Sequence, residues 1–535
     1  MGRKFFCFFL IGLIISGCSG GKKGDELALE VVGLGSDLLI GEPFQLMVKA
    51  DGYDLHVTSM DEQDRYGVKD FVYELAIKEG VGEALGTATV TLRQVPTADW
   101  FVFVEVESFE DEIELTLQHS LDGHASKTWE LDSPTEEVYP ERKERTLPDP
   151  TTNSFHYVEF AEADGVSGSV LIGGQYQFQE LLHTYDDLHD KTSHVYELIR
   201  EMDQFVVAED GEGVRLDVTT AAEAGMGHSW YLLSEAALFS NEEAFKRAQH
   251  IGIDEYKWLT PTDVLSKAPS TIFPYHEQGF VRSLVRQGAK KSLLELEASG
   301  CRFFESVNWN SFVQLESIRD DDGLWYSNYT STWLERKYGI VTHYVDSRHN
   351  DNLFRNQERR ARNLEIEEYR DEYLVYADFL VQKFEEGFVV ETDNGAILVD
   401  YFSDDGEALP HASLNHALSL MNYLYDAYLK SGNEAYRMVA DTMLRGIVDI
   451  GEDWIAPDGH VYYQLNQDGT LQSEDYRLVT YYDLLYTKKL LEEIKGSTEP
   501  LVDTLIEVKR AHLEEQELDW DVDVEHIEDY VGVIE

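Results

Sequence analysis

The sequence predicts a multidomain β + α chain, an N-terminal β-sandwich followed by an α/α toroid of helical hairpins. Three observations predict it. Between about residues 28 and 150 the apolar residues recur at period two: Val102, Val104 and Val106 alternate with Phe101, Phe103, Glu105 and Glu107, and Ile113, Leu115 and Leu117 repeat the step. From about 181 to 498 the period becomes three and four. Within that part, Pro410 to Ile447 reads as a helix that is apolar nearly all round, a Ser431-Gly432-Asn433 turn, and a second helix with one apolar face. Gly432 suits a helix C-terminus and Asn433 suits the N-cap of the next helix.

The first segment, 1–18, reads as a lipoprotein signal. Arg3 and Lys4 precede the apolar run Phe5 to Ile15, and Ile15-Ser16-Gly17-Cys18 resembles a bacterial lipobox. A lipid on Cys18, loss of residues 1–17 and a flexible tether over 19–27 are expected, which places the protein on the extracytoplasmic face of the cell membrane. The run is shorter than the roughly 20 residues a spanning helix needs.

The β-sandwich is assigned to 28–150, and Tyr139 to Asn153, with Pro140, Pro148 and Pro150, reads as a linker. A short β region occupies 151–180, the toroid 181–498, and an acidic tail 499–535. The formal net charge of −58 argues against nucleic acid as a partner and against polyanions in general, unless a local basic patch offsets the field. Apart from Cys18, only Cys301 lies beyond the signal, so neither a disulfide framework nor a Cys-rich metal site is expected.

Five clusters stand just before or within apolar runs of the second part, about 50 to 70 residues apart: Gly227 to Trp230, Tyr275 to Gln278, His343 to His349, His411 to His416, and Ser473 to Arg477. In a toroid the inner helices point the same way, so these clusters converge on one rim; a solenoid of unrelated helical pairs is the alternative. His411 and Asn415 are therefore candidate binding residues. Trp325 is a candidate platform for a sugar ring, because an indole combines an apolar face with a polar edge.

There is no Gly-x-Ser-x-Gly, His-Glu-x-x-His or Walker loop. His343, Asp346 and His349 step i, i+3, i+6 and drift around a helix, with Arg348 beside them, so no metal and no cofactor are expected. Arg348 and His349 belong to a basic island and are candidates for holding a carboxylate, Arg348 because its fork matches one bidentately.

Residues from about 390 to 495 resemble the C-terminal domain of glucuronyl C5-epimerases. The residues that carry the resemblance are Val399-Asp400-Tyr401, Leu414-Asn415 leading into Leu424-Tyr425-Asp426, Val461 to Leu465, and Asp475-Tyr476. It covers about a fifth of the chain and implies a uronic-acid-containing polysaccharide or oligosaccharide as substrate. It also implies proton transfer at carbon 5 by Tyr401, Tyr463, Tyr476 and Asp400. The family's arginine after the tyrosine strand is Asn466 here, and its histidine after the second tyrosine is Arg477, a candidate substrate-binding residue. Two alternatives stand beside this reading. One is a polysaccharide lyase or glycoside hydrolase on the same toroid, with Asp346, Asp400 or Glu277 as carboxylates. The other is a glycan-binding lipoprotein without activity.

Overall fold

The computed structural model describes residues 31–34, 37–40, 46–131, 149–152, 155–163, 165–188, 191–211, 213–517, 526–527 and 530–531. The expected signal segment with Cys18, the tether, most of the proline-bearing linker and much of the acidic tail lie outside the described residues. Among the described residues no helix is long and apolar enough to cross a membrane.

Two sheets form the β part. The smaller has six strands in the order Val31–Leu34, Asp37–Ile40, Leu46–Ala50, Ile113–Asp122, Gly213–Ala222, Phe205–Asp210. The larger has twelve; at its centre Gly165–Tyr185, Gly225–Ser234 and Trp100–Ser108 lie side by side, antiparallel. Alternate residues of both sheets, such as Val48, Leu117 and Leu216 from one and Val102, Val104 and Leu233 from the other, meet in a buried core. The sandwich is thus completed by strands well beyond residue 150.

This corrects the expected onset of helices at 181. Strands continue to Arg282, and the first helix, α1 (Glu242–Glu255), is inserted among them. The reason lies on the second face of the large sheet. Phe101, Phe103, Trp230 and Leu232 pack there against Phe245 and Ile251 of α1 and against Phe303, Phe304 and Phe312. A strand covered on both faces loses its alternation and reads as a continuous apolar run, as Trp230 to Leu233 does. His228 therefore sits in mid-strand, and burial alone pushes its imidazole down to about 3. His276 lies on the loop before strand Gly279–Arg282. Neither begins a helix.

The remaining helices are α2 (Leu284–Gln287), α3 (Lys290–Ser299), α4 (Arg302–Ser317), α5 (Thr332–Tyr338), α6 (Ser347–Asn363), α7 (Tyr373–Glu385), α8 (Leu414–Ser431), α9 (Glu434–Ile450), α10 (Val479–Lys495) and α11 (Pro500–Glu515). They pair as α3/α4, α6/α7, α8/α9 and α10/α11, and the helices α4, α6, α8 and α10 lie against one another in that order. The result is an arc of helical hairpins. α8 is buried from Leu414 to Ala427, Gly432 closes it with φ +71°, and the Asn433 side chain caps α9 by accepting from Ala435 N–H, as the sequence predicts.

A polar seam ties the inner helices. Arg348 of α6 pairs with Asp483 of α10, and Asp351 of α6 accepts from Arg355 at 2.7 Å and from Ser419 of α8. Arg355 also pairs with Asp426 of α8, which accepts from the Tyr486 hydroxyl of α10 at 2.7 Å.

Candidate active site

The mouths of α6 and α8 are joined through one residue. Asp400 follows the hairpin Val389–Glu391/Ala396–Leu398, which lies against α9 so closely that a Cβ on Gly395 would come within 2.2 Å of Gly446 N. The Asp400 carbonyl accepts from Ser347 N–H at 3.0 Å, its own N–H donates to His411 O at 3.0 Å, and its Oδ1 accepts from Ser413 N–H at 2.7 Å. The next residue, Tyr401, pairs with Asp346 in a two-stranded ladder, while Ala412–Ser413 pairs with Tyr462–Leu465, and that strand with Leu471–Glu474. These short strands deliver Tyr401, Tyr463 and Tyr476 to one place.

Ring centroids there run in sequence: Tyr344 to Tyr401 at 5.9 Å, Tyr401 to His411 at 6.2 Å, His411 to Tyr463 at 5.9 Å, and Tyr463 to Tyr476 at 5.7 Å. His416 lies 6.0 Å from Tyr401. The cluster is layered. Asp400, His411 and His416 are buried, Tyr401 and Tyr463 are partly exposed, and Tyr476 is 45% exposed.

Electrostatics follow the layers. Burial pushes Asp400 upward, but His416, His411 and the Ser413 N–H outweigh it and hold the carboxyl below the usual range. His411 Nε2 lies 3.1 Å from Asp400 Oδ2, off the line of a hydrogen bond, and its Nδ1 is 2.8 Å from the Tyr338 hydroxyl. Burial lowers His416, with Asp400 acting in the opposite direction, and its Nδ1 lies 2.8 Å from Ser347 Oγ. Burial raises Tyr401 and Tyr463 well above the ordinary phenol, and Asp346 and Asp400 push both in the same direction. At neutral pH these two hydroxyls are proton donors.

Three residues here come from α5, to which the sequence reading gave no role. Trp333 lies 5.5 Å from the His411 ring and 6.3 Å from Tyr401, and Tyr338 holds His411. Lys337 Nζ lies 5.5 Å over Trp333 and 3.4 Å from Asn466 Oδ1. A cation therefore stands where the resemblance lacks its arginine. The signal that could have found it is the spacing Trp333, Lys337, one turn apart on one helix face.

Other expected residues are elsewhere. Arg348 is buried, and its two terminal nitrogens lie 2.7 and 3.2 Å from Asp483, so the carboxylate it holds is internal. Asn415 is buried beside it and its carbonyl accepts from Arg348 at 3.1 Å. Trp325 is fully buried, donating from Nε1 to Leu315 O at 2.9 Å and packing edge-on against Phe354, so it presents no face to a sugar. Arg477 is half-buried next to Tyr476, and Glu277 is exposed on a loop of the β part. His349 is half-buried in the first turn of α6, whose N-cap is Asp346.

Below Tyr476, the buried Lys509 of α11 pairs with Asp475 at 3.0 Å and also donates to Tyr476 O, fixing the backbone that carries the exposed tyrosine. Nearby, His460, Glu474 and His512 offer ligand atoms within 4.8 Å of one another. His460 Nδ1, however, accepts Val461 N–H at 2.6 Å, which puts the imidazole proton on Nε2 and leaves it no lone pair for a metal.

No protein-family model and no curated protein matches the chain. Solved structures that resemble it in part include a cellobiose 2-epimerase from Bacillus thermoamylovorans, 12% identical over 44% of this chain with a TM-score of 0.33. A glycoside hydrolase family 76 mannosidase from Bacteroides thetaiotaomicron is 12% identical over 51% of this chain and 71% of its own, with a TM-score of 0.36. An unsaturated glucuronyl hydrolase specific for heparin is 12% identical over 50% of this chain and 67% of its own, with a TM-score of 0.33. The matched part spans 60% of the cellobiose 2-epimerase.

Proposed function

We propose that this chain acts on a uronic-acid-containing glycan by removing and returning a proton at carbon 5, next to the sugar carboxylate. The observation that carries the reading is the cluster itself. Tyr401, Tyr463 and Tyr476, from three separate segments, form one run of rings with His411 over the buried Asp400.

Such a reaction needs an acceptor, a donor, and a cation for the charge that develops on the carboxylate. Tyr463, held protonated, is the donor. Asp346, whose charge acts on both Tyr401 and Tyr463 from the mouth of α6, is the acceptor. Lys337 is the cation, and Trp333 and Tyr476 flank the sugar. Asp400, fully buried, bonded through Oδ1 and the backbone and with Oδ2 3.1 Å from His411, acts through His411 and is a positioning residue. The same burial speaks against a hydrolase built on Asp346 and Asp400, because only one of that pair can reach a glycosidic oxygen.

Deuterium incorporation at carbon 5 of a glucuronate-rich polysaccharide tests the proposal. Tyr463→Phe keeps the ring and should slow exchange about a hundred- to ten-thousand-fold with unchanged melting. A wild-type protein that binds the polymer but exchanges no deuterium overturns the reading in favour of a glycan-binding protein, and release of reducing ends would make it a hydrolase. The lipobox supports anchoring through Cys18 as a companion proposal.

A further inference from the structure

A cavity of about 320 Å³ opens beside the first turns of α6, between strand Gly279–Arg282, α2, α3 and α6. It is large enough for one sugar unit. Its wall carries Lys267, Arg282, Arg286, Lys290 and Lys291 against two carboxylates, a local reversal of sign in a chain of net charge −58. Neither carboxylate is free. Asp254 pairs with Lys291, and Glu255 caps α3 by accepting from Lys291 N–H at 2.6 Å and Ser292 N–H at 2.9 Å. Arg282 is engaged by Asp263. Arg286 donates to a backbone carbonyl, Ile253 O, at 3.1 Å, and Lys267 to Gly279 O at 3.3 Å. Among the described residues neither has a carboxylate at ion-pair distance.

The independent mark of a ligand is Asn352 of α6. It lines this cavity, is 3% exposed, and neither its amide nitrogen nor its amide oxygen has a hydrogen-bond partner. A buried amide with both atoms unmade is a standing cost to the fold, and an aliphatic side chain would serve packing better. His349, one turn earlier on the same helix, also lines the cavity, and its Nδ1 is 3.8 Å from Asp346 Oδ2. Asp346 acts on Tyr401 and Tyr463 on one side and on Tyr329, another lining residue, on the other. The cavity and the tyrosine cluster therefore share the α6 mouth.

We propose that this cavity is a subsite for a neighbouring uronate of the same glycan, its carboxylate held by Arg286 and Lys267 and its hydroxyls by the Asn352 amide. This rests on the reading above for the identity of the glycan, while the pocket itself is tested without turnover. D-glucuronate and, as the neutral control, D-glucose are titrated into the whole protein by calorimetry. Arg286→Gln should weaken glucuronate binding about tenfold or more, the worth of a charge-assisted hydrogen bond, and leave glucose unchanged. Asn352→Ala should weaken glucuronate binding while raising the melting temperature, an opposition that a packing residue does not give. If turnover is present, Arg286→Gln raises KM for the polymer and spares kcat. Glucuronate binding that is equal in wild type, Arg286→Gln and Asn352→Ala overturns the subsite. Absence of deuterium exchange with these binding losses intact overturns only the catalytic reading.

Discussion

Replacing Arg348 by Met separates a cation that holds helices from one that holds a ligand. The Arg348 and Asp483 side chains are 5% and 0% exposed and meet at 2.7 Å, and Arg348 also reaches Asn415 O at 3.1 Å. Met preserves much of the stem and leaves the carboxylate without a cation. Breaking a buried pair from one side costs roughly 3–5 kcal/mol, whereas an exposed pair contributes about 0–1 kcal/mol. The pH dependence gives the sign. Burial pushes Asp483 up to about 6 from 3.8, with Arg348 pulling against it. A carboxyl raised in the native state binds its proton more tightly folded than unfolded. Its contribution to stability is present below pH 3.8 and is lost as the pH rises through about 6. Without Arg348 the downward pull disappears and the carboxyl moves higher still. At about 1.36 kcal/mol per pH unit above the wild-type value, Arg348→Met should therefore stay near wild type at pH 5 and lose up to about 2.7 kcal/mol at pH 8 in urea unfolding followed by tryptophan fluorescence. Adding Asp483→Leu should recover most of the loss, since no buried charge then remains. An Arg348→Met protein with the wild-type urea midpoint at pH 8 but weakened glycan binding refutes the reasoning and returns Arg348 to the ligand.

Lys337→Gln should lower kcat/KM for deuterium exchange about tenfold or more, the loss expected for one charge-assisted contact. Asn466→Arg alone should bring no gain, because it sets a second cation against Lys337, but in the Lys337→Gln background it should restore the rate; equal rates in Lys337→Gln and wild type remove Lys337 from the site. Cys18→Ala should leave a precursor that is neither lipidated nor trimmed at residue 17, checked by intact mass and membrane fractionation. Normal trimming and retention would end the anchoring proposal.

The helical part was legible where local chemistry decides structure. The apolar girth of α8, the Gly432 terminus and the Asn433 cap are properties of a few neighbouring residues, and all are found. What was not legible depends on distant partners. The strand Gly225–Ser234 hides its period because α1 and α4 cover the second face of the large sheet, whereas Gly213–Ala222 alternates openly and its partner Ile113–Asp122 lies about a hundred residues earlier. Arg348 looks ligand-directed until Asp483, 135 residues away, is seen to meet it. Trp325 and Trp333 are equivalent as letters; one is fixed in the core through Leu315 O, and the other lies beside His411 only because α5 crosses there. The tyrosines named from the resemblance meet in space, but their spacing along the chain gave no hint of Lys337, which arrives from a different element.

The distribution of cations argues for which of them face a ligand. With a net charge of −58, a glycan carboxylate is repelled at distance, yet salt screens that field beyond about 10 Å, so capture depends on cations within a few ångströms. The basic island on α6 does not supply them. Arg348 and Arg355 are neutralised by buried aspartates, Arg359 by Glu297, and Arg360 is fully buried against Asn308, Gln357 and the Gly288 carbonyl. Lys337, Arg286 and Lys267 are bonded to neutral oxygens as Arg360 is, but unlike Arg360 they are not fully buried. Their protein partners are neutral oxygens: an amide for Lys337, backbone carbonyls for Arg286 and Lys267. A cation bonded only to neutral oxygens keeps more of its attraction for an anion than one in a direct ion pair, although Asp468 acts on Lys337, and Asp149 and Glu277 on Lys267, from farther off. Lys337 stands beside the tyrosines, and Arg286 and Lys267 line the cavity that His349 of α6 also lines, an arrangement consistent with the proposed chain of acidic sugars.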